Sequence, residues 1–209
     1  MKGSVKEAHL GFGALALRGI GRAMVAVVQR PKRYGPLPEL DEPTIFAGRH
    51  VGFMDPVILM TQYYDMMLRP LAAQDYVEKN ALTRWFFNTA QCIPIDRKNH
   101  SRQWLEDATA ALDRGESIII FPEGKRNKEG SGLLHFHSGV TLLAARSGAR
   151  VVPVYNACWK FPHRYRLAMG EPLRIPSIDP EKITAEWLRE QTERIRDAVA
   201  ALAPRLEED

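Results

Sequence analysis

His50 and Asp55 stand five positions apart in the stretch TIFAGRHVGFMDPVILM, residues 44–60. These are the residue types of a general base and its orienting carboxylate. Near neutral pH an imidazole takes a proton from a hydroxyl through one ring nitrogen while a carboxylate fixes the other. Along a continuous helix, five residues turn through about 500°, which aims the two side chains at different faces. They meet only if His50 lies on a loop and Asp55 at the start of the following helix. A carboxylate at a helix N-terminus stays ionised. The stretch holds no Ser or Cys, so the pair is two thirds of a triad, and the attacking hydroxyl belongs to a substrate. An N-cap Asp beside an ordinary surface His fits the same residues, and the stretch alone leaves both readings open.

The elements that must position this pair follow from the surrounding pattern. Thr44–Ala47 reads as a short apolar strand, and Asp55-Pro56 as a helix start, with Asp as N-cap and Pro in the first turn. Gly48 and Gly52 are expected to supply the backbone freedom that folds the loop back over the helix. That helix is expected to run to about Leu68, before Arg69-Pro70. Pro31–Pro43, with four prolines, reads as a connector. Further strands are expected at 71–73, 92–95, 117–121 and 151–155, with an edge strand at 164–169. Helices are expected at 78–88, 101–114, 139–147 and 179–202. Apolar strands alternating with helices predict an α/β fold, a mostly parallel sheet covered by helices on both faces.

In such a sheet, sites form beyond the carboxyl ends of the strands. His50 and Asp55 follow the first strand, Arg97 follows the strand at 92–95, and Glu123, Lys125 and Arg126 follow the strand at 117–121. A base, its carboxylate and three cations thus converge on one edge. Arginine pairs bidentately with phosphate, so the cations point to a phosphate-bearing ligand.

The chain's net charge of +4 is unevenly spread: residues 1–33 carry seven lysines and arginines against Glu7, and the remaining 176 residues stand at −2. A basic nucleic-acid-binding face on the main body is therefore not expected. Leu10–Val28 is apolar but broken by Arg18 and Arg22 at helical spacing. Each central arginine opposes insertion by about 2.5–3.5 kcal/mol, so the segment should not cross a bilayer. The expectation is an amphipathic basic helix on the membrane surface over 1–33, followed by one domain over 34–209. Ala14-Leu15-Ala16 resembles a signal-peptide cleavage site but lies inside the apolar run. Cys92 and Cys158, without metal-ligand spacing, read as buried thiols of a reducing cytoplasm.

These residues resemble the glycerolipid acyltransferases of the lysophosphatidic acid acyltransferase type. His50 and Asp55 match the family's His-x-x-x-x-Asp block, and Ile95-Asp96-Arg97 resembles the second. Phe121-Pro122-Glu123-Gly124 with Arg126 is similar to the third, and Val152-Pro153-Val154 to the fourth. Arg49, Gly52, Lys125, Asn127 and His137 depart from the family pattern. The charges at Arg49 and Lys125 would suit an anionic ligand.

The resemblance implies transfer of a fatty acyl group from a thioester, on coenzyme A or acyl carrier protein, to the hydroxyl of a lysophospholipid. His50 and Asp55 are then catalytic, and Arg97, Glu123, Gly124, Lys125 and Arg126 bind substrate. Arg97 and Arg126 hold phosphate, while Glu123 either orders the loop or meets the glycerol. No metal or prosthetic group is implied, and the place of work is the cytoplasmic face of a membrane.

His135 and His137 lack a third ligand and read as loop residues beside the site. Leu82, Trp85 and Phe86 recur on one side of their helix and read as its core face, with an acyl-chain groove lined by Trp85, Phe86 and Phe87 as the alternative. A lipid-binding protein without turnover is the rival class, and it has no need of the His50/Asp55 pair. A metal-dependent phosphate-ester hydrolase would need more ligands than the strand ends supply.

Overall fold

A computed structural model describes residues 16–206, apart from 17, 18, 22, 24, 26, 28, 29, 64, 65, 98, 100, 128–131, 159–164 and 177. The expected basic helix, with Arg18 and Arg22, falls largely outside the described residues, as does the Cys158 side chain.

Seven strands form one sheet: β1 (Lys32–Tyr34), β2 (Thr44–Gly48), β3 (Leu68–Ala73), β4 (Ile93–Ile95), β5 (Ser117–Ile120), β6 (Arg150–Cys158) and β7 (Tyr165–Met169). Their order is β1-β7-β6-β2-β5-β3-β4, and among the described residues β6–β7 is the one antiparallel strand pair. The helices are α1 (Asp55–Gln62), α2 (Gln74–Val77), α3 (Ala81–Thr89), α4 (Gln103–Asp113), α5 (Gly139–Ser147) and α6 (Ala185–Ala200).

Strand alternation divides the core between two faces. Ile45, Ala47, Ile118 and Ile120 point to one side, where Leu105, Ala108, Leu143 and Ile195 from α4, α5 and α6 cover them. Phe46, Ile119 and Val152 point to the other, against Ile58 and Leu59 of α1 and against Val25. The mostly parallel sheet covered on both faces is the architecture expected. Among the described residues no helix is long and apolar enough to cross a membrane.

Several element boundaries differ from the expectation. Helix α1 stops at Gln62, and Leu68–Ala73, with Arg69-Pro70 inside it, is a strand. Strand β3 pairs with β5 through residues 68–70 and with β4 through 71–73. Each half has a partner on one side only, which accommodates a proline lacking an N–H. The connector contains the edge strand β1, whose pairing comes from β7 and not from local propensity; β7 is therefore interior and not an edge.

Helix α3 departs most. Asn80 and Thr83 close its N-terminus in a reciprocal capping box, yet the helix buries none of its residues, and Leu82 is 71% and Trp85 58% exposed. The expected core face is not a core face. Helix α4 already covers β4 and β5, and α3 touches α2. Periodicity identified an apolar side but not whether anything lies against it.

Candidate active site

The loop from β2 to α1 brings His50 and Asp55 together as their spacing required. His50 Nδ1 lies 2.7 Å from Asp55 Oδ2. Asp55 is not the N-cap, a position held by Met54, but the first helical residue. Its carboxylate turns back to accept the backbone N–H groups of Val51 at 2.7 Å and Gly52 at 3.0 Å, and the Tyr165 hydroxyl donates to Oδ1. Asp55 is thus buried, 1% exposed, with its lone pairs engaged, and it leaves the imidazole one fixed orientation. The ring stacks on Phe121, centroids 4.3 Å apart and planes 16° from parallel. Nδ1 is committed to the carboxylate, so Nε2 is the nitrogen that takes a proton.

Neither Gly48 nor Gly52 has positive φ, so the loop does not depend on the glycine freedom expected there. Gly48 serves a close approach instead: a Cβ there would stand 3.0 Å from the Val154 carbonyl oxygen. Gly124 does need its residue type, with φ +67° and space for a Cβ filled by the His137 ring at 2.8 Å. His137 thereby sits over the Glu123–Arg126 turn, and it meets His135 edge to face at 5.9 Å.

Glu123 is 2% exposed. Its Oε2 accepts from the His50 backbone N–H at 3.2 Å, and its Oε1 from Leu134 N–H at 3.0 Å and Asn127 Nδ2 at 3.3 Å. Asn127 in turn donates its own N–H to the His50 carbonyl at 2.6 Å. Of the two roles open for Glu123, these partners favour ordering the loop. They clamp the His50 backbone to the turn after β5, the strand paired with β2.

Lys125 and Arg126 extend from that turn, exposed, and Arg97 is exposed beyond β4 on the same edge of the sheet. The ion pairs among the described residues engage Arg69, Arg114, Arg150, Arg174 and Arg196 rather than these three. Arg49 is different from the expectation. It is 5% exposed, its guanidinium lies 5.1 Å from the Tyr155 ring centre, and Nη1 donates to the Asn156 carbonyl at 3.2 Å. Its charge is absorbed by the fold and not presented to a ligand. Burial pushes the Cys92 thiol up to about 12, so it is no thiolate at neutral pH.

Sequence reasoning missed Tyr165. A tyrosine in an apolar strand reads as packing, and its partner is 110 positions away.

Residues 27–157 match the Acyltransferase family. The protein belongs to that family. The chain is 33% identical over 177 residues to a putative 1-acyl-sn-glycerol-3-phosphate acyltransferase of Caenorhabditis elegans, covering 78% of this chain and 60% of the relative. It is 27% identical over 120 residues to the chloroplastic 1-acyl-sn-glycerol-3-phosphate acyltransferase LPAT1 of Arabidopsis thaliana, covering 56% of this chain and 33% of that one. The chain thus spans a third to three fifths of the length of these relatives. The crystal structure of the 1-acyl-sn-glycerophosphate acyltransferase PlsC from Thermotoga maritima shares the fold, with a TM-score of 0.63 at 21% identity over 90% of this chain and 79% of that one.

Proposed function

We propose that this acyltransferase moves a fatty acyl group from a thioester, on coenzyme A or acyl carrier protein, to the free hydroxyl of a lysophospholipid, with lysophosphatidic acid the best-fitting acceptor. The observation that carries the reading is the 2.7 Å His50–Asp55 contact at the carboxyl edge of the sheet. His50 Nε2 takes the proton of the acceptor hydroxyl as its oxygen attacks the thioester carbonyl carbon. The tetrahedral intermediate collapses, the C–S bond breaks, and the thiolate recovers the proton from the imidazolium. Asp55 stabilises that imidazolium without itself being protonated. Arg97, Lys125 and Arg126 supply the charge for the acceptor phosphate, and the family relatives that act on 1-acylglycerol-3-phosphate support that choice.

The setting is phospholipid biosynthesis at the cytoplasmic face of a membrane, with residues 1–33 as a peripheral basic segment and 34–209 as the catalytic domain. Incubation of the purified protein with a panel of lysophospholipids and both donor types, read by mass spectrometry, tests this. Acylation of lysophosphatidic acid above the other acceptors is expected, and no acyl product from any pair would overturn the reading.

A further inference from the structure

The loop between His50 and Asp55 carries Phe53, 55% exposed at its tip. Its ring contacts Phe86 at 6.3 Å and Phe87 at 6.5 Å, and those two meet edge to face at 5.6 Å. Leu82 and Trp85 are exposed on the same helix, α3, none of whose residues is fully buried, and Tyr76 on the adjoining α2 is 51% exposed. Of the six large hydrophobic side chains exposed among the described residues, four are these: Phe53, Tyr76, Leu82 and Trp85. Isolated exposed apolar residues are ordinary; a contiguous aromatic cluster on one helix is not.

We propose that α3 and the Phe53 loop form a docking surface for an anionic lipid bilayer, seating the mouth of the His50 site on the membrane. Charge decides the occupant. Residues 74–103, which include α2 and α3, hold Lys79, Arg84, Arg97, Lys98 and Arg102 against Asp75, Glu78 and Asp96, a net +2. A second copy docking through the same patch would set like charges face to face. A bilayer with anionic headgroups meets both parts of the surface: Trp and Phe settle at the depth of the headgroups, and flanking lysines and arginines pair with phosphate. The capping box from Asn80 and Thr83 explains how α3 holds its shape without a core beneath it. Its residues lie in a different stretch of the chain from the basic segment at residues 1–33. Its link to the acyltransferase reading is positional, since Phe53 belongs to the loop that carries the base.

The test compares the full chain with its Leu82→Ser, Trp85→Ser double variant. Both are measured by co-sedimentation with phosphatidylcholine vesicles, with and without phosphatidylglycerol. Both side chains are exposed, so circular dichroism and the thermal midpoint should be unchanged. Partitioning onto the anionic vesicles should weaken about tenfold or more. Transfer to a vesicle-embedded lysolipid should fall in step, while transfer to a monomeric short-chain acceptor is retained. Equal pelleting of the two proteins would overturn the proposal. So would equal loss on the monomeric acceptor, which makes the cluster an acyl-chain groove, or a changed mass in sedimentation equilibrium, which makes it a subunit contact. If vesicle binding weakens as expected but neither protein transfers an acyl group, the docking surface stands and the activity reading falls.

Discussion

The buried hydroxyl of Tyr165 donates to Oδ1 of Asp55, which leaves Oδ2 to hold His50 Nδ1 at 2.7 Å. A strand on the far side of β6 thus fixes a carboxylate at the start of α1, and through it the imidazole that works at the edge of the sheet. Replacing Tyr165 with Phe keeps the 2%-exposed ring in place and removes one charge-assisted hydrogen bond. Such bonds are worth about 1.5–3 kcal/mol. The expected result is a lower thermal midpoint and a kcat reduced roughly tenfold at unchanged acceptor KM. Wild-type kcat with lowered stability would restrict the bond to folding.

His50→Ala should leave the protein folded, because the side chain is on a loop and 22% exposed. The rate should drop by about 10²–10⁴, the usual contribution of a general base. Single-turnover measurements with saturating substrates check this, and near-wild-type turnover would remove His50 from the mechanism.

Glu123→Gln places an amide N–H₂ among groups that are themselves donors: His50 N–H, Leu134 N–H and Asn127 Nδ2. A stability loss of about 1–3 kcal/mol is expected, with kcat falling as the His50 loop loosens. Denaturant unfolding and steady-state kinetics read the two effects. If stability holds and acceptor KM alone rises, Glu123 meets the substrate instead.

Arg97→Ala and Arg126→Ala should each raise KM for a phosphate-bearing acceptor by about tenfold or more while sparing kcat at saturation. An acceptor lacking the phosphate should show neither effect. The clamp assignment fails if both variants lower only the maximal rate.

The raised Cys92 thiol predicts that iodoacetamide leaves the folded enzyme active near neutral pH and modifies it readily once unfolded. Because the thiol ionises near 9.0 when free and near 12 in the fold, the stabilisation tied to its protonated form is intact below pH 9 and is lost as pH rises toward 12. Alkylation followed by mass spectrometry checks the reactivity, and denaturant midpoints across that window check the sign.

What the sequence revealed follows the range of the interactions. His50 and Asp55 are five positions apart, and the loop geometry that joins them is encoded locally, by the strand before and the Asp-Pro after. The parallel sheet and its strand ends were legible for the same reason. Tyr165 was not, since only the sheet brings it to Asp55. Arg49 shows the converse error. Its charge suggested a ligand, but the Tyr155 ring and Asn156 carbonyl that enclose it sit on β6, more than a hundred positions on. Helix α3 shows a third kind, in which an apolar stripe was visible and its lack of a partner was not.

The divided pairing of β3 has a consequence for how the protein breathes. Strand β4 is tied to the sheet by three residue pairs along half of β3, whereas β2 is bonded on both sides, to β5 and to β6. Opening β4 breaks one short ladder; opening β2 breaks two and exposes the core on both faces. In deuterium-exchange experiments the amides of Ile93 and Ile95 should therefore label well before those of 45–47. The part of the edge that carries Arg97 keeps faster time than the part that carries the base.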